Sequence, residues 1–237
     1  MAADETGESR ATNAQRLDRR FEMFESLLLA LAVVLTAWAA FESTKWSGVQ
    51  ANSYSMASAA RIESTRASTR AGQLTAIDVD TFIAWVAAIS AEERAGRQNG
   101  LASDGTYTPK PGTESGFLFE RFRDEFRPAV EAWLAERPLA NPDVARTPFA
   151  TAAYSLADDE RADELVEEAE TFAAEARAAN QNGDNYVLMT ILFAAVLFFA
   201  GISSKMDTFR ARVSLLGCAA TILIVATVVV VSFPIEI

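Results

Sequence analysis

The chain contains no histidine and only one cysteine, Cys218, among its 237 residues. Without histidine it lacks the side chain that most often acts as a general base or a transition-metal ligand near neutral pH. One cysteine forms no intrachain disulfide and builds neither a thiolate zinc site nor a dithiol redox pair. Positive charge is also scarce, with 21 Lys and Arg against 32 Asp and Glu and a net charge of -11. No GxSxG elbow, phosphate-binding glycine loop or dinucleotide fingerprint occurs. The sequence therefore predicts no enzyme: no catalytic residue, cofactor or metal ligand is assigned.

Apolar sequence is what the chain has in quantity, half of its residues being hydrophobic. A spanning helix needs about 20 mostly apolar residues. Three runs reach or approach that length, 24–41, 186–202 and 213–233. With their flanks, they divide the chain into a disordered cytoplasmic tail (1–20), a first span (21–41), a helical extracytoplasmic domain (42–185), a second span (186–203), a cytoplasmic loop (204–212) and a third span (213–233). Arg16, Arg19 and Arg20 precede the first span, and Lys205, Arg210 and Arg212 lie between the second and third. Three spans put both basic segments on one side, which the positive-inside rule makes cytoplasmic. Ala37-Trp38-Ala39 has the small-x-small look of a cleavage site. The apolar run is longer than a signal h-region, however, and bulky Phe41-Glu42 follows, so the segment reads as a retained anchor. Glu25 reads as a residue hydrated at the cytoplasmic edge. The N-terminus is thus expected in the cytoplasm and the 42–185 domain outside.

The 42–185 domain holds 14 basic and 24 acidic residues. Such a surface disfavours nucleic acid and anionic lipid. The partners expected are membrane lipid around the spans, a second copy of the chain, and other envelope proteins; nucleic acid is excluded.

Two heptad seams run through this domain. Ala162, Leu165, Ala169, Phe172, Ala176 and Ala179 alternate spacings of 3 and 4, the a/d pattern of a coiled coil. The other faces of that helix carry Asp158, Asp159, Glu160, Asp163, Glu164, Glu167, Glu168, Glu170 and Glu175 against Arg161 and Arg177. Such a helix repels itself at i,i+4 pairs and calls for a basic neighbour. The second seam, built mainly of small residues, runs from Trp46 through Gln50, Ser53, Ala57, Ala60, Ser64, Ala67 and Ala71 to Leu74 and carries Lys45, Arg61, Arg66 and Arg70. Small seams let helix axes approach closely. One helix leaves the membrane near Glu42 and the other returns near Asn185, so they should run antiparallel. Counting outward at equal rise places Arg61 near Glu167 or Glu170, Arg66 near Glu164 and Arg70 near Glu160. Trp46, Gln50, Tyr54 and Phe172 are the candidate interface residues, Trp46 and Tyr54 lying where amphipathic rings favour a membrane exit. Gly183 is the one place where the acidic helix could bend.

Between the seams, Asp80-Thr81 would cap a helix over 82–97 after a break or bend at 77–80, and Asn99-Gly100 would end it. A loop over 102–115 follows. Phe119, Phe122, Phe126, Val130 and Trp133 make an aromatic stripe over 116–136, with Pro128 forcing a break or kink near Arg127. Pro138, Pro142 and Pro148 mark an extended connector, with Phe149 and Tyr154 as anchors. The stripe reads as core rather than as a ligand pocket. The 158–164 carboxylates point in different directions on a straight helix, so they read as a solvated face rather than a cation site.

The fold expected is an all-α membrane protein with three transmembrane helices. The first and second extend outward as an antiparallel coiled-coil-like stem capped by a small helical domain. The function expected is a non-enzymatic membrane scaffold or interaction protein presenting an acidic helical domain. The alternative is an oligomeric channel or transport-accessory subunit lined by Thr190, Ser203, Ser214 and Thr221.

Some pieces are also familiar as a set: 46–51 (WSGVQA), 122–129 (FRDEFRPA), Asn141-Pro142 with 148–150 (PFA), 186–188 (YVL), 192–194 (LFA) and 198–201 (FFAG). Over roughly 25–235 the chain resembles an uncharacterised family of bacterial three-span inner-membrane proteins with a helical extracytoplasmic domain. The resemblance implies the same architecture and membrane and carries no catalytic residues.

Overall fold

A computed structural model describes residues 19–236. The disordered tail expected over 1–20 lies outside the described residues, apart from Arg19 and Arg20. Among the described residues there is no strand, only an isolated antiparallel bridge between Leu101 and Tyr107. The helices are α1 (Arg19–Arg94), α2 (Glu114–Phe119), α3 (Arg127–Ala135), α4 (Ala157–Ser203) and α5 (Phe209–Val231), with a 3-10 turn at Pro148–Ala150. α1, α4 and α5 are long and apolar enough to cross a membrane. The chain forms two compact units, one of 1–56 with 172–237 and the other of 57–171. α1 and α4 contribute a segment to each.

In the first unit, three helices share one core. Leu28, Ala32 and Ala39 of α1 pack with Tyr186, Met189, Phe193, Val196 and Ala200 of α4, and with Leu216, Ala219, Leu223, Ala226 and Val230 of α5. Small residues alternate with large ones, so backbones approach where no hydrophobic force acts between lipid-bathed helices. The opposite faces expose Val34, Ile191, Phe198, Ile224 and Val228, as a lipid-facing surface requires. Gly183 does not break α4; a Cβ there would lie 3.7 Å from Ser43 O and Trp46 Cβ. Phe172 is only half-buried, and Ala173 takes the buried place beside Ala176 and Ala179. The strict 3-4 alternation slips by one residue there, because a straight helix drifts from a heptad repeat.

In the second unit, Ala60 of α1 packs on Leu165 and Ala169 of α4. Ser64 Oγ donates to Ala162 O at 3.0 Å across the same buried seam. The remainder is an aromatic core of Trp85, Ile89, Phe119, Phe122, Phe126, Val130 and Leu134, with Phe82, Tyr107, Trp133, Phe149 and Tyr154 packed on it. Phe126 and Phe149 stack at 5.0 Å, and the other ring pairs within this core meet edge-on or tilted, arrangements the ring quadrupole favours.

Two local expectations are corrected, and a third is met. α1 runs through 77–80 without a break. Thr81 Oγ1 donates back to Ile77 O at 2.9 Å instead of capping a new helix. The helix ends at Arg94 rather than Arg97. Gly96, at φ +66°, donates to Glu93 O, and Arg97 N donates to Glu92 O, the paired bonds of a Schellman C-terminus. The 116–136 aromatic segment breaks where Pro128 led one to expect, ahead of Arg127, into two short helices separated by 120–126. Pro128 sits in the first turn of α3, where its missing N–H costs nothing.

Candidate functional site

α1 carries a buried stripe that continues well beyond the small-residue seam. Four carboxylates lie on it, Glu25, Glu42, Asp78 and Glu92, each at most 6% exposed. A buried charge is costly unless it is paired or hydrogen-bonded. Each of the four accepts from a different later segment of the chain.

In the first unit, Glu25 accepts from Arg212 Nη2 at 3.4 Å. This replaces the hydrated residue expected at that edge with a buried ion pair between α1 and the start of α5. Glu42 accepts from the amide of Glu236 at 3.1 Å. The segment after α5 is held there by further bonds. Trp46 Nε1 and Tyr186 Oη both donate to Pro234 O, at 3.2 and 3.0 Å, and Phe233 meets the Tyr186 ring edge-on at 5.5 Å. Glu42 Oε1 is buried without a hydrogen-bond partner among the described residues.

In the second unit, Asp78 is wholly buried. Its Oδ2 accepts from Arg123 Nη1 at 2.7 Å and from Tyr154 Oη at 3.1 Å. Arg123 also pairs with Glu125, and Glu125 accepts from the amide of Ala157. Burial pushes the Asp78 carboxyl above its ordinary range, against the lowering pull of Arg123 and Tyr154. Burial likewise raises the Tyr154 hydroxyl. Glu92 behaves oppositely. Burial alone would raise it, but the Ser115 hydroxyl and the Ser115 and Glu114 amides outweigh that, and its carboxyl sits below the ordinary range. It thus satisfies the open N–H groups at the start of α2.

The residues singled out from the sequence distribute as follows. Arg61 meets Glu170 at 3.3 Å, and Arg70 meets Asp158 rather than Glu160 at 3.4 Å. Arg66 pairs with Glu63 on its own helix, and Glu164 with Arg161 on its own. Glu160 accepts from Ser155. The Arg66–Glu164 and Arg70–Glu160 pairings are therefore not the ones formed. Long exposed side chains choose the nearest carboxylate on the helix surface, and i,i+3 neighbours are always in reach. In the first unit Gln50 donates to Asn180 at 2.8 Å, Trp46 holds Pro234, Tyr54 is exposed and Phe172 is half-buried. Rising numbers on α1 meet falling numbers on α4 in both units, so the two helices run antiparallel within each.

Asp78, Glu92 and Glu42 were not singled out from the sequence. A signal existed for one of them: continuing the α1 seam at heptad spacing past Leu74 lands on Asp78, whereas backward from Trp46 it lands on Ser43, one residue off Glu42. Their partners, tens of residues away or more, carry no local mark. Among the described residues no group of acidic or thiol side chains is arranged to hold a metal ion. Set against family models, curated proteins and solved structures, the chain finds no match.

Proposed function

We propose that the protein is a non-enzymatic integral membrane interaction protein that offers an acidic helical domain to a basic partner surface. One observation carries this reading. Asp159, Asp163, Glu167 and Glu168 of α4 are exposed and reach no cation among the described residues. The carboxylates of the α1 stripe, by contrast, are already engaged within the chain. Unpaired like charge on one helix face costs stability, and a basic partner would relieve it while also speeding encounter. Within the second unit, the paired segments of α1 and α4 would act as a coiled-coil-like stem and the aromatic-cored helices as its cap.

The setting we propose is a bacterial inner membrane with 42–185 outside, as basic flanks of the spans and the resemblance to a three-span family suggest. The partner would be another envelope protein or a second copy of the chain. The channel reading draws no support from the polar side chains of the spans. Thr190, Ser203 and Thr221 donate to carbonyls of their own helices.

Crosslinking in intact membranes, followed by mass spectrometry of co-purified proteins, tests the proposal. A discrete adduct should form and should weaken with Asp163→Lys, Glu167→Lys and Glu168→Lys combined, and with added salt. A monomer without neighbours, or an adduct indifferent to both changes, would overturn it.

A further inference from the structure

The first unit carries a groove at the point where α1 leaves its apolar run. Its lining includes Phe41, Lys45, Gly48, Val49, Asn52 and Glu236, and its open volume is about 550 Å³. Its two charges are opposite in sign and come from distant parts of the chain. Lys45 is half-buried and meets no carboxylate among the described residues. Glu236 is placed there by its backbone, whose amide binds Glu42, so its carboxylate is not needed for the hold. Phe41 is exposed, 54% of its surface being open, at the apolar end of the groove. Gly48 leaves the floor open, since a Cβ there would meet nothing within 4 Å.

This level of a spanning helix is where phospholipid headgroups lie. We propose that the groove binds the headgroup of an amine-bearing zwitterionic phospholipid, its phosphate on Lys45 and its primary ammonium on Glu236. A primary ammonium donates charge-assisted hydrogen bonds to a carboxylate, whereas a quaternary one has no N–H to give. An anionic headgroup without an amine could still set its phosphate on Lys45 but would leave Glu236 facing it with no cation to meet. The proposal rests on the membrane-spanning reading of α1, α4 and α5 and is independent of the partner proposed above.

Native mass spectrometry of the full chain in detergent tests it, with phosphatidylethanolamine, phosphatidylcholine and phosphatidylglycerol of identical acyl chains as probes. The ethanolamine lipid should be retained about tenfold better than either of the others, the scale of one charge-assisted contact. Glu236→Gln should bring it down to the level of the choline lipid, whereas Lys45→Ala and Gly48→Leu, which remove the shared phosphate contact or fill the groove, should lower retention of all three. Glu236→Gln keeps the amide that binds Glu42, and Gly48→Leu enters open space in a helix, so both should fold, with unchanged helicity as the check. Equal retention of the three lipids, a preference for the glycerol lipid, an ethanolamine preference that survives Glu236→Gln, or retention of all three lipids unchanged by Lys45→Ala would overturn the proposal.

Discussion

The single residues that matter most are the acids buried along α1, and two of them respond to pH with opposite signs. Asp78 has a folded-state pKa raised above its unfolded value near 3.8. Its contribution to stability is complete below that value and is lost as pH rises through the folded one. Glu92 has a folded-state pKa lowered below its unfolded value near 4.5. Its contribution is present above 4.5 and is lost as pH falls through the folded value. Thermal unfolding of the purified chain across pH should therefore show Asp78→Asn flattening a decline on the rising side of pH 3.8. Glu92→Gln should remove a loss of stability in acid. Arg123→Ala should cost about 3–5 kcal/mol, the range for stripping one partner from a buried pair. Asp78→Asn in the same chain should recover part of that loss, because the uncompensated charge is gone; a double-mutant cycle measures it.

At the scale of elements, the pairing of α1 with α4 depends on small residues rather than on its exposed ion pairs. Arg61–Glu170 and Arg70–Asp158 involve largely exposed guanidinium groups, and such pairs contribute about 0–1 kcal/mol. Ala169, 1% exposed between the helices, has no room for more atoms. Ala169→Leu should cost about 1–3 kcal/mol through overpacking, while Val166→Leu on the exposed face of the same turn should stay within about 0.5 kcal/mol; chemical or thermal unfolding separates them. The end of α1 gives a second check. Gly96 sits at φ +66°, so Gly96→Ala should destabilise by about 1–2 kcal/mol, the cost of a Cβ in that conformation. The equivalent change at Gly72, in mid-helix with open space around its Cβ position, should be stabilising by about 0.5–1 kcal/mol.

For the whole molecule, the proposed three-span orientation makes a direct statement about access. With Cys218 replaced by alanine, a cysteine at Ser155 should react with a membrane-impermeant maleimide on intact spheroplasts. One at Ser204 should react only after permeabilisation. The reverse pattern would invert the orientation, and equal labelling from one side would rule out an odd number of crossings between them. Three helices long and apolar enough to cross a membrane, the antiparallel sense of α1 and α4 within each unit and the pairing of Arg61 with Glu170 were legible in the chain, because each follows from a local run length or a helical period. The partners of Glu25, Glu42, Asp78 and Glu92 were not, nor was the continuity of α1 through Asp78. Read locally, the Ile77–Asp80 stretch looks like a helix boundary; in the structure, Arg123 and Tyr154 supply the buried hydrogen bonds that let a charged residue stay inside an unbroken helix. Periodicity by itself determined which face of each helix is buried, since burial repeats with the helical turn. Only the tertiary structure decided which distant donor meets each buried acid, since that depends on how the intervening loops close and leaves no periodic trace.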